Sequence, residues 1–586
     1  MDQKNEEKYK ESVTSVVAPQ VDFYDPSKES IWTRLGVSFE SFKRAPGTTG
    51  GQVIQGEHNI ENLDKMRAEN PMLQQKMKPR HLQMIAVGGS IGTGLFVGSG
   101  AALHNGGPLG ILIAWLLMGF MLINVIQALG EMCILYPVSG GFYTITSRFL
   151  DPSFAFAMGW NYVFQWCVVL PLEITIAGTT VQYWTDKVPI AAWISIFWVL
   201  IVIISVFGTL GFAEEEFWSS CLKLLVVVMF IFIGIICIFG GGPKDGMYGS
   251  FVGDRIWHEK GQLAHGFKGL CSVFVTVSVA GTELVGLAAS ETPNPRMSMP
   301  AAVKGTFWRI ILIYVTSLTV IGLLVSWDDP RLLGGGGAAA SPFVIALDNA
   351  KIYGLNHFVN ATICVSVLSI GLSAVYAGSR TLTALAETGY APKIFAYVDK
   401  SSRPLWSVLV VLSFAPLAYV NVVATGYTIF TWLLASSGFS ALVAWFAICL
   451  CHVRFRKAWK LQGHSLEELP FQAMLGVWGS YFGMVLVSAV LIAQFYIALW
   501  PIGGMSSNPK KVAEVFFSSY LAAPVMIFFY IVGFIWKRGL PKKIADIDLD
   551  TGRKSWLSVD EMRAWRAERK LAPLYIRIFR MLFTAS

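Results

Sequence analysis

Long apolar stretches recur along this chain, near residues 82 to 103, 108 to 132, 155 to 181, 188 to 208, 217 to 240, 266 to 290, 307 to 327, 355 to 382, 404 to 424, 427 to 451, 474 to 500 and 518 to 537, about twelve in all. Each is long enough to cross roughly 30 Å of hydrocarbon as a helix rising about 1.5 Å per residue, which predicts an all-α polytopic membrane protein. The first stretch, HLQMIAVGGSIGTGLFVGSGAAL, is interrupted at its centre by Gly88, Gly89, Ser90, Gly92, Thr93 and Gly94. Such a cluster predicts unwinding, since each interior glycine disfavours helix by about 1 kcal/mol relative to alanine. The sixth stretch, GFKGLCSVFVTVSVAGTELVGLAAS, is interrupted at Ser278, Gly281, Thr282 and Glu283. Lipid cannot satisfy the backbone groups that unwinding frees, so both breaks must face protein or a water-filled cavity. Paired broken spans predict a solute site near the bilayer midplane. Gly94 and Gly98 also admit a plainer reading, as a GxxxG pair for close helix packing.

Spans one to five and six to ten make halves of similar length, each beginning with an interrupted helix. An odd number of spans per half forces the halves to run oppositely through the bilayer, an inverted repeat with two spans appended. The half-helix N-termini, positive ends of the macrodipole, would face an anionic group of the solute. Freed carbonyls could hold a cationic group. A solute carrying a carboxylate and an ammonium joined by one carbon suits both ends.

Composition sharpens this picture. Of 586 residues, 54% are apolar and 14% charged, against about a quarter charged in soluble domains. An even span count puts both termini on one side. Segments on that side carry Lys76, Lys78, Arg80, Arg148, Arg296, Lys304, Arg309, Arg380, Lys393, Lys400, Arg403, Arg454, Arg456, Lys457, Lys460, Lys537, Arg538, Lys542 and Lys543, about twice the load of the opposite loops. By the positive-inside rule the termini are cytosolic. The net charge of +8 then follows from topology, and the basic soluble face that nucleic-acid binding needs is missing.

Residues 1–80 are polar and lack a signal-peptide h-region, which predicts a largely disordered cytosolic tail, within which SIWTRLGVSFESFKRA (30–45) has enough aromatics to dock. Residues 81–537 form the transmembrane domain and 538–586 a cytosolic tail. The closing LYIRIFRMLF fits an amphipathic helix on the inner leaflet or against the bundle, and a solvated tail equally. The eight cysteines fall in or at the ends of apolar spans and read as core, with neither disulfide nor metal spacing. The eight histidines are scattered and offer no ligand set, so neither metal nor cofactor is expected. The acceptor-like Asn360-Ala361-Thr362 lies inside a span and is a chance match.

Charges within spans are the sharpest chemical signal, because an ionisable group at membrane depth costs several kcal/mol and tends to be kept for function. Glu173 lies deep in the third span, too central to reach the surface, between Gln165 and Thr175. Solute or proton handling and a structural hydrogen bond are its two readings. Lys223, in the fifth span, is either a functional charge or a lysine snorkelling to the cytosolic surface. Glu283, after the sixth break, either meets solute or caps loose backbone N–H groups. Glu131 closes the second span and reads as a loop-pinning charge. No nucleophile, base and third group stand at usable spacing, so an enzyme is not expected.

The stretches MKPRHLQMIAVGGSIGTGLFVGSG, GEMCILYPVSGGFYTITSRFLDPSFAFAMGWNY, VLPLEITIAGTTVQYW, GTELVGLAASETPNPRMSMPAAVKGTFWRI, SRTLTALAETGYAPK and HVRFRKAWKLQGHSLEELPFQAMLGVWGSY together resemble the fungal amino-acid permeases of the amino acid, polyamine and organocation transporter superfamily. The resemblance runs from about Lys78 to beyond Arg538. It implies the leucine-transporter type of fold, twelve spans, plasma-membrane localisation and uptake of L-amino acids with protons. It further implies that Ser90, Ile91, Gly92, Thr93 and Gly94 hold the substrate carboxylate, and that Ser278, Ala280, Gly281, Thr282 and Glu283 surround the α-amino group. Glu173 matches a third-span carboxylate for substrate or proton binding. Lys223 matches a lysine whose ammonium stands in for the sodium ion of sodium-coupled relatives. Ser373 matches a substrate contact, although Leu372-Ser373 replaces the Asn-Ser of several relatives. The segment WNYVFQWCVVLPLE is similar to broad-specificity members, and Phe583-Thr584-Ala585-Ser586 stands where the family's usual Phe-Trp-Cys would, so the palmitoylated terminus of some relatives is not expected. Membrane lipids and ubiquitin-ligase adaptors on the tails are the further implied partners. An amino-acid sensor on the same fold is the alternative.

Overall fold

The computed structural model describes residues 30–551, except 35, 45–76, 90, 138–139, 277–280, 282, 290, 292–294, 334–340, 423–425 and 505–507, together with 553, 560–561, 563–564, 571 and 573. Among the described residues the architecture is all-helical, with one isolated bridge between Arg44 and Asp399. Eight helical stretches there are long and apolar enough to cross a membrane: Gly98–Leu135, Pro152–Val181, Gly208–Ile238, Ser298–Leu324, Leu355–Glu387, Leu405–Val422, Ser437–Leu461 and Gly476–Leu499. Ile190–Val206, Gly266–Thr276 and Ala522–Lys537 are shorter apolar helices.

The first apolar stretch is built from pieces. Helix α1 (Pro79–Gly88) stops at the glycine cluster, α2 (Thr93–Phe96) restarts the chain, and α3 (Gly98–Leu135) follows. Within α3 the chain turns at Gly107, whose φ of +72° is one that side chains rarely adopt, and Pro108 opens the second arm. A Cβ at Gly107 would stand 2.7 Å from the backbone of Gln262 and Ala264, so only glycine fits the corner. Two predicted spans therefore meet at this corner, where the sequence pattern separates them.

Helix α4 (Pro152–Val181) begins with the Asp151 side chain accepting the N–H of Phe154, an N-cap followed by proline at the first position. Beyond the helix Ile190–Val206 come α5 (Gly208–Ile238) and, past a short helix Arg255–Lys260, α6 (Gly266–Thr276) and α7 (Leu284–Ala289), which flank the sixth break. Helix α8 (Leu355–Glu387) lies along α4 in the middle of the bundle. Both are apolar and buried nearly all round, as central helices must be. Small residues bring them close: Gly378 receives Trp166, and Gly159 receives Leu385. The long α9 (Gly426–Leu461) packs on α4 from the other side. By contrast, Leu225, Phe232 and Ile236 of α5, Val485 and Ile492 of Gly476–Leu499, and Phe528 and Ile535 of Ala522–Lys537 are exposed. Exposed apolar surface on that scale belongs against lipid.

Six cysteines are buried, and Cys221 and Cys364 are partly so. Asn360 is buried and donates to the Thr180 carbonyl, which places the acceptor-like motif inside the bundle. Glu131 is buried against Arg456 (2.7 Å) and His452 (3.2 Å) and accepts the Ala473 N–H (2.7 Å), so it pins the loop after α9.

Part of the N-terminal tail is folded on the bundle. Arg403 donates to the Gly36 carbonyl and to Ser41 (both 2.9 Å), its guanidinium lies 4.2 Å over the Phe42 ring, and Tyr397 donates to the Phe42 carbonyl (2.7 Å). The start of the C-terminal tail docks as well: Tyr136 and Gln462 donate to the carbonyls of Leu549 and Ile547, both buried. LYIRIFRMLF lies outside the described residues.

Candidate functional site

The two halves of the first broken span leave α1 ending at Gly88 and α2 starting at Thr93, with Ile91 N–H bonded back to the Gly88 carbonyl at 2.9 Å. Close approach explains part of the glycine cluster. A Cβ on Gly88 would stand 2.9 Å from the Ser220 Cα, so α5 touches α1 directly, and one on Gly92 would collide with Ile370 of α8. At the restart, Thr93 donates its hydroxyl proton to Glu173 of α4. Both side chains are buried, and Gly371 of α8 lies against Glu173. Thus the first break, α4 and α8 converge on one carboxylate. Gln165, about two turns earlier on α4, is buried with neither amide atom hydrogen-bonded among the described residues.

Lys223 does not snorkel. It is fully buried on α5, 3.5 Å from the Gly88 carbonyl and 3.5 Å from Glu216. The Gly88 carbonyl belongs to the C-terminal, negative end of α1, where a cation is favoured. Glu216 in turn accepts from Ser220 (2.9 Å), Ser369 (2.7 Å) and Ser373 (3.3 Å). One charge pair therefore ties α5 to the broken span on one side and to α8 on the other.

At the second break, Gly281 takes a φ of +121° between α6 and α7. Glu283 is fully buried and accepts the Gly281 N–H (3.3 Å), the Tyr162 hydroxyl (3.3 Å) and the Trp445 indole N–H (3.2 Å). It caps loose backbone and joins the break to α4 and α9. Arg309, in a π-helical turn over Arg309–Val315, donates to the Ala86 carbonyl, a second buried cation at the end of α1. Single π-helical turns are frequent at functional sites.

Of the residues singled out from sequence, Ile91, Gly92, Thr93 and Gly94 lie at the first break, and Glu173 is bonded to it. Gly281 and Glu283 lie at the second break. Ser373 donates to Glu216, the partner of Lys223. Ser90, Ser278, Ala280 and Thr282 lie outside the described residues. Sequence reasoning missed Glu216, although Glu216, Ser220 and Lys223 recur at helical spacing on one face of α5. It also missed Arg309, counted as a cytosolic loop charge yet buried against α1.

Buried charges gathered at two helix breaks in an apolar bundle mark a membrane transport protein. The "Amino acid permease" family model matches residues 81–545, and the chain belongs to that family. It is 50% identical over 564 residues to the amino-acid permease inda1 of Hypocrea atroviridis, covering 95% of each chain. It is 47% identical to the general amino-acid permease GAP2 of Candida albicans, over 92% of both chains. Identity to the general amino-acid permease GAP1 of Saccharomyces cerevisiae is 46%, over 91% of this chain and 88% of that one. These relatives are amino-acid permeases, which supports amino-acid transport.

Proposed function

We propose that this protein imports L-amino acids of broad range across the plasma membrane by proton symport. In this reading the chain spans the bilayer twelve times as a five-plus-five inverted repeat with two added helices, and the tails 1–80 and 538–586 are cytosolic. The observation that carries it is the junction at the first break, where Thr93 bonds Glu173 and Lys223 bonds the Gly88 carbonyl. The substrate carboxylate lies at the start of α2, on the N–H groups that a helix's first turn leaves free. The α-ammonium faces Glu173 and the carbonyls of the 278–283 segment. Buried Gln165 has amide hydrogen-bonding capacity left for solute.

Lys223 supplies the positive charge that a sodium ion would otherwise bring between the first and eighth spans. Without that charge the hold on α1 weakens and Glu216 must be balanced otherwise, so coupling and substrate occupancy share one junction. Membrane lipids and ubiquitin-ligase adaptors on the tails are the further partners. Uptake of labelled amino acids into transporter-deficient cells tests the reading. Uptake should rise as external pH falls from about 7 to 5, since the driving proton becomes more available. It should also be indifferent to replacing sodium by choline, collapse with a protonophore, and compete with many amino acids. Lys223→Met should bind substrate without concentrating it. Sodium-dependent, pH-insensitive uptake would overturn proton coupling, and signalling without uptake would favour a sensor.

A further inference from the structure

Glu291 follows α7 and is buried, and none of the chemistry above uses it. One carboxylate oxygen accepts the Tyr376 hydroxyl (3.0 Å) and Arg380 Nε (3.1 Å). The other accepts the Thr209 hydroxyl at 3.0 Å, while Arg380 Nη2 donates to the same Thr209 oxygen at 2.7 Å. The Arg380 guanidinium lies 4.5 Å over the Tyr376 ring, on which Phe212 stacks at 4.3 Å. The Glu291 carbonyl accepts Met77 N–H, just ahead of α1. Four parts of the chain are thereby locked together: the approach to α1, the segment after the second break, the start of α5, and the later turns of α8.

The position of this lock matters. Ser369 and Ser373 of α8 stand level with Lys223 and the first break. Arg380 is seven residues beyond Ser373, about 10 Å further towards the end of α8 that the positive-inside rule places in the cytosol. The elements that Glu291 and Arg380 join therefore meet on the cytosolic side of the first break. We propose that the Glu291–Arg380 ion pair, bridged by Thr209, is the gate that closes the transport pathway towards the cytosol, and that it parts to release substrate. This rests on the transport reading above.

The chemistry suits a surface that must open. Desolvation offsets much of the attraction in a buried ion pair, so parting the pair into a water-filled exit is near balance, because both groups are hydrated on opening. An apolar seal would instead expose hydrocarbon at each cycle. Removing one partner leaves a lone buried charge, which disfavours the closed arrangement and shifts the population to the one open to the cytosol.

The test uses the full-length protein in inside-out vesicles carrying Ala377→Cys, a buried α8 position beside the lock. Labelling of that peptide by a membrane-impermeant thiol reagent is read by mass spectrometry, which separates it from the native cysteines. Glu291→Ala and Arg380→Ala should each raise labelling about tenfold, and Thr209→Val, which removes only the bridging hydroxyl, by a smaller factor. Efflux of preloaded substrate should rise in parallel, with binding affinity retained. Unchanged labelling in all three variants, with binding intact, would overturn the gate. Because labelling reports conformation without requiring net uptake, absence of transport by the unsubstituted protein would count against the transport reading alone.

Discussion

Glu173 shows how one residue can hold a site together. Its hydrogen-bonded partner among the described residues is the Thr93 hydroxyl, so the carboxylate links α4 to the restart of the broken span. A hydrogen bond to a charged group contributes about 1.5–3 kcal/mol, roughly tenfold to a hundredfold in an equilibrium. Glu173→Gln keeps the shape and the contact with Thr93 but removes the charge and the proton it could exchange. Uptake is therefore expected to fall by about tenfold or more with surface expression unchanged, measured by initial-rate uptake beside cell-surface biotinylation. Normal uptake with normal pH dependence would return Glu173 to a structural hydrogen bond. At this scale sequence exposed buried charge but not its pairing. Glu216 stands in an acidic run, AEEEF, at the edge of the fifth apolar stretch, and only the packing of α8 against α5 makes it the partner of Lys223, Ser369 and Ser373.

Among the elements, the two breaks were the most legible features, because glycine and polar residues inside an apolar stretch act on local backbone energetics. What the glycines accommodate was not legible. Gly88 admits α5, and Gly92 admits Ile370 of α8. Gly92→Leu is accordingly expected to abolish substrate binding, since the side chain both favours continuous helix and enters space already filled by Ile370. Equilibrium binding of labelled amino acid to purified protein checks this, and wild-type affinity would show that the break is not the site. The corner at Gly107 and Pro108 illustrates the same division. Their residue types suggest a turn, whereas the approach of the chain at Gln262 to Ala264, more than 150 residues away, makes glycine obligatory there.

For the whole molecule, the Lys and Arg distribution predicts that both termini are cytosolic. Epitope tags at either end should bind antibody only after the plasma membrane is permeabilised, and a tag reached on intact cells would reverse the orientation. Sequence by itself determined the all-helical membrane class, the broken spans and the family, because apolar length, glycine clusters and local motifs act through near-neighbour physics. It did not disclose which charges meet. The Glu291–Arg380 pair spans 89 residues, the Glu216–Ser369 bond 153, and the contact of Arg403 with Gly36, within the tail stretch whose aromatics suit docking, 367. Such partners are decided by tertiary structure: a buried charge must find a counter-charge or hydrogen-bond donor, and the helix that supplies it is set by packing of the whole bundle.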